Sequence, residues 1–325
     1  MPESQTIDFS LPVLGRKQRT LKNSIGCVGI GLNTGYRVAM TMRPAAPGHG
    51  VTFRRIDLDS SLSEIPARYN IVRDTRSGTL LAHPENPDLS VGSVEHLMAA
   101  LAGCGVHNVL VEVDGPELPA LDGSADPFVF LLDCAGAVTQ DAARPTIRVS
   151  RPVRVEADEG FVELAPGTHA REMVLSFEFP APAVAPETLS LTITPEVFRR
   201  DLARARDFTF IQDLAQLQAA GLARGCGIEN TIILEESGAR NPSGLRMPDE
   251  FLRHQLLDVI GDLALAGAAI RGRFVGHQTN HSLNNRLLHA LFADTANWVS
   301  TGEWSTVIEQ PATSLAASAP DRLAS

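Results

Sequence analysis

The sequence of 325 residues has little lysine and little positive charge. Only Lys17 and Lys22 are lysines among its 28 basic residues, and 38 acidic residues bring the formal net charge to −10. Proteins that bind a nucleic-acid backbone carry a basic patch. We therefore expect no nucleic-acid partner, and the arginines, spread over the whole chain, indicate compositional bias rather than a functional patch.

Cysteine is also scarce, and its four residues lie far apart. Cys27, Cys104, Cys134 and Cys226 form no CxxC pair, although such close pairs are typical of cysteine-based zinc sites. The spacing favours reduced, mostly buried thiols over a disulfide framework.

Long apolar runs are missing. The first residues include Glu3 and Asp8 and lack the apolar core of about 7 to 15 residues of a secretory signal. Other apolar stretches, such as 263–270, are far shorter than the roughly 20 residues of a membrane-spanning helix. We therefore expect a cytoplasmic protein without a transmembrane segment. Its 44% apolar residues are enough for the cores of about two domains.

The order of secondary-structure signals predicts two halves of similar design. In each half, strand-like segments precede a helix, a glycine, a further strand, a polar turn and a second helix. The segments are 36–43, 51–56, 94–102, 108–113 and 126–136, then 146–155, 172–178, 249–266, 270–276 and 283–293. His96 precedes Gly123 by 27 residues, as His254 precedes His281. The sequence therefore predicts a duplicated α+β unit.

The polar, proline-containing segment 139–146 predicts a linker between the halves. We assign residues 17–140 to domain I and 146–309 to domain II. Residues 1–16 are predicted to be an N-terminal extension and 310–325 a flexible tail, and neither is expected to take part in chemistry.

Residues 249–263 predict a buried helix with a polar stripe. His254, Asp258 and Asp262 are spaced four residues apart and so lie on successive turns of one face, while the other faces are apolar. Burying two carboxylates costs several kcal/mol unless they are compensated. A divalent metal bound by His254 and Asp258 would compensate them. Alternatively, the two side chains hydrogen-bond each other or meet arginines of the other half.

Residues 93–97 offer the groups that such a metal site still needs. Ser93 is predicted to cap a helix whose first turn carries Glu95 and His96. With His96 as third ligand, a His₂Asp set leaves one position for water, as in catalytic zinc sites. Glu95 could accept the proton of that water. Alternatively, Glu95 is there because a helix N-terminus favours a carboxylate.

His281 lies in the predicted polar turn 279–282. Amide hydrolysis needs a group that protonates the leaving nitrogen and stabilises the oxyanion, and an imidazolium can do either. Asp262 could keep His281 protonated and oriented. The alternative is an ordinary histidine of a surface loop.

Four separated motifs together resemble one family. They are SVEHLMAAL at 93–101, LDGSADPF at 121–128, RHQLLDVIGDL at 253–263 and HSLNNRLLHAL at 281–291. Over residues 17–294 the chain resembles the zinc-dependent UDP-3-O-acyl-N-acetylglucosamine deacetylases (LpxC family) of bacterial lipid A synthesis. The resemblance implies an α+β fold of two similar domains, each a β-sheet packed on two helices, with the active site between the helical layers.

The resemblance also implies a role for each candidate residue. The ligands of one zinc per chain would be His96, His254 and Asp258, although His and Asp also accept Fe²⁺. The general base, the general acid and its carboxylate partner would be Glu95, His281 and Asp262. Contacts to an acylated UDP-amino sugar would come from Asn33, Asp207, Phe208, Phe210 and Gln255. An insert near 225–248, with an apolar strand at 228–234, would form a passage for the acyl chain; alternatively, that strand is an ordinary sheet edge.

Four positions depart from the family's pattern: Asn33, Asp207, Gln255 and Asn280. Gln255 replaces a lysine that would attract the diphosphate, and Asp207 replaces a threonine that helps hold the oxyanion. These changes suggest a diverged paralogue with retained chemistry. Three hypotheses follow: deacetylation of UDP-3-O-acyl-N-acetylglucosamine, the same chemistry on another N-acetylated sugar or nucleotide sugar, and a catalytically weak metal-binding homologue. The presence of Glu95 and His281 argues against the third.

Overall fold

The computed structural model describes residues 17–58, 64–157, 160–167, 171–178, 187–235 and 238–301. The predicted extension at 1–16 and tail at 310–325 lie outside these residues. Within them, no helix has both the length and the apolar character that a membrane crossing requires.

Two five-stranded sheets with the same strand order form the framework. Across the first sheet the strands are β2 (Ile25–Ile30), β3 (Arg37–Pro44), β9 (Val109–Val113), β4 (Val51–Arg55) and β5 (Glu64–Pro66). Across the second they are β12 (Val153–Ala157), β13 (Gly160–Ala165), β20 (Arg273–His277), β14 (Glu172–Phe177) and β15 (Glu187–Thr192). In each sheet the central strand is the last along the chain and forms the one parallel pair. The duplicated α+β unit predicted from the sequence is confirmed.

Smaller sheets contain the other described strands. Strand β1 (Lys17–Leu21) pairs with β10 (Ala137–Ala143). The remaining strands are β6 (Val72–Asp74), β7 (Leu80–His83) and β8 (Asn86–Val91), then β19 (Ala269–Arg271), β11 (Thr146–Val149) and β21 (Trp298–Thr301), and finally β16 (Phe208–Phe210), β17 (Ile232–Glu235) and β18 (Gly238–Ala239).

The predicted linker 139–146 is mostly strand. Strand β10 continues to residue 143 and β11 begins at Thr146, so only Arg144 and Pro145 connect them. The polar composition misled the sequence reading because alternate β10 side chains face solvent while the backbone pairs with β1. The domain boundary itself remains a prediction.

The helices form layers between and beside the two large sheets. They are α1 (Glu95–Cys104), α2 (Asp126–Ala135), α3 (Pro195–Val197), α4 (Ile211–Ala219), α5 (Glu250–Ala264) and α6 (His281–Ala293). Helix α1 packs against α5 and α2, and α5 also packs against α6. In the second half, α6 contacts β12 and β13 while α5 contacts β14 and β15. The helices of the two halves therefore face each other.

Helix α5 is buried almost all round, as its sequence predicts. Twelve of its 15 residues are buried, including His254, Asp258 and Asp262. Gly261 permits the close crossing with α1, because a Cβ there would lie 2.1 Å from the carbonyl oxygen of Glu95. A side chain at 261 would push the first turn of α1 away from α5.

Two predicted helix starts are wrong. Val94, not Ser93, occupies the N-cap position of α1; Ser93 has a φ of 54°, and its hydroxyl donates to Glu117 over 3.3 Å. His281 is the first residue of α6 rather than part of a turn. Asn280 caps that helix by accepting the backbone N–H of Leu283 over 2.9 Å, which gives this departure from the family pattern a structural role.

Other predictions need smaller corrections. The expected strands 146–155 and 270–276 are each divided in two, and only the end of the expected strand 228–234 lies in β17. The four cysteines are free, as expected, but only Cys104 is buried and Cys134 is exposed. The sequence reading overestimated their burial because Cys134 lies on the solvent side of α2.

Candidate metal centre and active site

Three residues from two helices converge at the N-terminal end of α1. One ligand-type atom from each of His96, His254 and Asp258 lies within 4.8 Å of the other two. Nε2 of His96 is 3.5 Å from Oδ1 of Asp258, and Nε2 of His254 is 3.6 Å from Oδ2. The two imidazole rings stand almost at right angles, at 81°, with centroids 4.9 Å apart.

The donor set fits a divalent metal. Nδ1 of His254 donates to the carbonyl oxygen of Ala205 over 3.0 Å, which leaves the lone pair of Nε2 for a ligand. Oδ1 of Asp258 is buried and accepts no hydrogen bond. A buried carboxylate oxygen without a partner is costly, and a cation between two imidazole nitrogens and a carboxylate would satisfy it.

The electrostatics of the metal-free cluster keep Asp258 ionised. Burial by itself would raise the pKa of Asp258, but the charge of His254 and the interaction with His96 lower it to about 2. Burial would lower the pKa of His96, but Asp258 and the charge of Glu95 raise it to about 9. A metal must therefore displace a proton from His96 at neutral pH.

Glu95 lies beside the cluster with one carboxylate oxygen free. Its side chain is buried, and Oε2 accepts the backbone N–H of Thr79 over 2.8 Å. Burial raises the pKa of Glu95, while the charges of His281 and His96 oppose the increase. A carboxylate with a raised pKa is suited to accept and release a proton near neutral pH.

His281 is held by a buried network centred on Asp262. Nδ1 of His281 donates to Oδ2 of Asp262 over 2.8 Å, and that oxygen also accepts from Asn284 over 2.9 Å. Oδ1 of Asp262 accepts the hydroxyl of Thr79 over 2.7 Å. Burial would lower the pKa of His281, but the charge and hydrogen bond of Asp262 raise it well above its ordinary value. The imidazole is therefore kept protonated.

A cavity of about 210 Å³ opens over these groups. Of the predicted substrate contacts, Asn33, Asp207, Phe208 and Gln255 line it. Phe210 does not; it packs against the small apolar cluster of Ile232, Leu234 and Phe251. The chain turns into α4 directly after Phe210, and that turn directs this ring into the cluster instead of the cavity.

Asn33 also connects loops at the cavity rim. Its side-chain amide donates to the carbonyl of Ser77 over 2.9 Å, and its Oδ1 accepts from the backbone of Ala223 over 3.5 Å. The backbone N–H of Asn33 donates to Glu117 over 3.1 Å. Much of its hydrogen-bonding capacity therefore holds the rim together.

The sequence reading missed several residues of the site. Thr79 serves both Glu95 and Asp262, and no motif marks it. Asn284 could have been found, because it lies three residues after His281 on the same helix face. The cavity lining also includes Arg76 and, from α4, Leu214 and Leu217. Arg76 makes a hydrogen-bonded ion pair with Asp74 and is largely exposed.

Comparisons with known proteins agree with this arrangement. The sequence profile of a family described as LpxC, UDP-3-O-acyl N-acetylglycosamine deacetylase, matches residues 18–293. A UDP-3-O-acyl-N-acetylglucosamine deacetylase of Idiomarina loihiensis is 43% identical over 298 residues, which are 91% of this chain and 95% of the relative. One of Pasteurella multocida is 42% identical over 283 residues, 87% and 92% of the two chains. One of Vibrio vulnificus is 40% identical over 306 residues, 94% and 98%.

Proposed function

Because the chain belongs to the UDP-3-O-acyl-N-acetylglucosamine deacetylase family, we propose that it removes the N-acetyl group of UDP-3-O-acyl-N-acetylglucosamine in lipid A biosynthesis. The observation that carries this proposal is the convergence of a His₂Asp cluster with Glu95 and a protonated His281 around one cavity. We assign zinc as the metal, with Fe²⁺ as the alternative, because both are bound by imidazole and carboxylate. The reaction would take place in the cytoplasm.

His96, His254 and Asp258 would hold the zinc ion. When bound, zinc polarises the acetyl carbonyl and makes water more acidic. Glu95 accepts the proton of the attacking water at Oε1, the oxygen that Thr79 leaves free. The bond from Thr79 to the other oxygen fixes the direction of the carboxylate. Buried surroundings make Glu95 basic enough to take this proton.

His281 would supply the acid. With Nδ1 bound to Asp262, its Nε2–H is free to stabilise the oxyanion and then to protonate the leaving amine. Thr79 and Asn284 hold Asp262 in place. Hydrolysis breaks the amide C–N bond, and acetate and the free amine of the sugar leave as products.

The cavity wall suits a substrate with both apolar and anionic parts. Leu214 and Leu217 lie one turn apart on α4, and both are partly exposed toward the cavity. This apolar stripe precedes the predicted insert 225–248, which contributes Cys226 and Thr231 to the lining. We assign the stripe and the insert to the acyl chain. Arg76 is the cation available to the diphosphate.

A less anionic N-acetylated sugar is the alternative substrate. Asp207 adds a negative charge to the cavity, and Gln255 occupies the position after His254 without supplying a positive one. A charge-assisted contact contributes about 1.5–3 kcal/mol, so these two residues bear directly on affinity for a diphosphate.

Product analysis by mass spectrometry tests the proposal. Purified protein loaded with zinc is incubated with UDP-3-O-acyl-N-acetylglucosamine, and in parallel with UDP-N-acetylglucosamine and simpler N-acetylated sugars. We expect the free amine and acetate from the acylated UDP substrate. Turnover of a sugar without the diphosphate, and none of the acylated UDP compound, would favour the alternative. Failure on all of them would remove the enzymatic assignment.

A further inference from the structure

A second cavity lies at the other end of the helix pair that carries the candidate metal ligands. Its volume is about 100 Å³, and it is lined by residues from the C-terminal part of α1, such as Met98 and Ala102, and from the end of α5, such as Ala264. None of the proposed catalytic or substrate-contacting residues lines it. The cavity is therefore separate from the site described above.

Three arginines from distant parts of the sequence line this cavity. Arg68 precedes the crossing helices, Arg144 lies in the short connection after β10, and Arg171 begins the segment that contains β14. Within the described part of the chain, none of the three forms an ion pair and no carboxylate lines the cavity. This is unexpected in a chain that has ten more acidic than basic residues.

Two hydrogen-bond donors of the lining have no acceptor. Nε of Arg144 and Nε2 of His107 are buried and make no hydrogen bond in the described structure. Nδ1 of His107 accepts the backbone N–H of Arg19 over 2.9 Å, so the proton of the neutral ring is on Nε2. Buried polar atoms without partners are rare in folded proteins. Both atoms here are donors, and both belong to residues that line the same cavity.

The cavity is costly for its own charges. Burial, together with the charges of Arg171 and Arg271, lowers the pKa of Arg144 to about 9. Burial and the charges of Arg144, Arg171 and Arg19 lower the pKa of His107 to about 3. One partner is found for Arg171, whose Nη1 donates to the carbonyl of Ala102 over 3.2 Å. Arg68 packs directly on Gly267, where a Cβ would lie 1.1 Å from its Nη1.

We propose that Arg68, Arg144, Arg171 and His107 form an anion site that binds a small tetrahedral oxyanion, either inorganic phosphate or the phosphate group of a small phosphomonoester. The planar donor fork of arginine matches phosphate oxygens, and the two unpaired donors find acceptors in the same ion. The space equals that of about three water molecules at roughly 30 Å³ each, which suits such an ion and excludes a polymer. The ion would join segments that precede and follow the connection between β10 and β11.

Calorimetric titration of the full, metal-loaded chain with inorganic phosphate tests the site, with glycerol 3-phosphate as the phosphomonoester arm. We expect one saturable site per chain. Arg144→Gln should weaken phosphate binding roughly 10- to 100-fold, the value of a lost charge-assisted hydrogen bond. Arg76→Gln is the matched control, because it removes an arginine from the reaction cavity instead. Binding of inorganic phosphate alone would identify the free ion, and tighter binding of glycerol 3-phosphate would identify a phosphomonoester.

The unfolding temperature separates a ligand site from a structural role. Phosphate stabilises many proteins by exclusion from their surface, but that effect rises without saturation and would be the same in Arg144→Gln. If the three arginines were structural, Arg144→Gln would lower Tm in phosphate-free buffer; we expect no decrease, because an unpaired buried charge is removed. Phosphate binding that is lost in Arg76→Gln and kept in Arg144→Gln, or absent from the wild type, would overturn the proposal. None of these measurements requires substrate turnover, so they do not depend on the proposed function.

Discussion

Oδ1 of Asp207 lies 3.6 Å from Nε2 of His254, the same distance that separates this nitrogen from Oδ2 of Asp258. A second carboxylate therefore borders the candidate metal-binding nitrogen. Its position is fixed, because Oδ1 also accepts the backbone N–H of Phe208 over 2.7 Å. This places a negative charge close to where the reaction develops one, and it also brings a carboxylate within reach of the position that a catalytic metal keeps for water.

Replacing Asp207 and Gln255 by the residues of the family pattern should improve catalysis. We expect Asp207→Thr combined with Gln255→Lys to raise kcat/KM on the acylated UDP substrate at least about 10-fold, from removal of repulsion and gain of a charged contact. The single variants separate the two causes. Equal kcat/KM in wild type and double variant would mean that other residues supply these contacts and that the paralogue hypothesis should be dropped. Arg206 is not such a residue, since it is buried against Glu250 at 2.8 Å.

Metal content should depend on the three converging residues. Wild-type protein is expected to hold about one divalent metal ion per chain, and Ala substitution of His96, His254 or Asp258 should reduce this below about 0.2 and lower Tm. Elemental analysis with thermal unfolding measures both quantities. Arg76→Gln, which alters the same cavity without removing a ligand, is the control. A well-folded wild type with no metal and no stabilisation by Zn²⁺ would contradict the ligand assignment.

Glu95 and His281 should be needed for turnover but not for metal binding. Glu95→Gln keeps an acceptor for the N–H of Thr79 but cannot take a proton, so we expect a loss in kcat of about 10²-fold or more. His281→Ala should lose a similar factor. Metal content near that of the wild type shows that the site is intact. Near-full turnover by either variant on the wild type's substrate would exclude the role given to that residue.

The pH profile should reveal the link between Asp262 and His281. The carboxylate raises the pKa of His281, and a general acid works only while it is protonated. Asp262→Asn removes the charge but can still bond to Thr79, so the alkaline limb of the kcat profile should move to lower pH. Rates measured from pH 6 to 10 at saturating substrate would show this. An unchanged alkaline limb in the variant would assign that limb to another group.

His107 should make stability fall in weak acid. Its pKa in the folded state is about 3, against 6.5 for an ordinary histidine, so the unfolded chain binds the proton more tightly. Stability contributed by neutral His107 is present above pH 6.5 and is lost as pH falls toward 3, by roughly 1.4 kcal/mol per pH unit. Arg19, Arg144 and Arg171 are the charged groups that depress this pKa.

Urea unfolding at pH 7 and pH 5 in phosphate-free buffer measures this contribution. His107→Gln should lose less stability between the two values than the wild type. His49→Gln, at an exposed position, should behave like the wild type. The same pH dependence in His107→Gln and wild type would show that His107 does not titrate as described.

Periodicity and spacing were enough to predict the architecture and the chemistry on the two central helices. The four-residue spacing in α5 placed His254, Asp258 and Asp262 on one face because a helix repeats every 3.6 residues. The meeting of His96 with that face was inferred from chemistry, since no local pattern states which helices cross. Gly261, which permits the crossing, carries no such signal in the sequence.

Contacts between distant segments could not be predicted. Thr79 comes from a loop with no motif, and it reaches Glu95 and Asp262 only because the fold brings that loop against α1 and α5. The arginines seemed evenly spread along the chain, yet Arg68, Arg144 and Arg171 surround one cavity. Phe208 and Phe210, two residues apart, were grouped in the sequence, but the start of α4 separates their environments.

The strand order has a consequence for folding. In each large sheet the central strand, β9 or β20, enters between two pairs of strands that precede it in the sequence. Such non-local pairing is slow to form. Helix α1 directly precedes β9, and α5 precedes β20 with only β19 between them, so His96 reaches His254 and Asp258 only in a chain whose two sheets have both received their central strands. Metal that resists a chelator during refolding would therefore count the molecules that have completed both sheets.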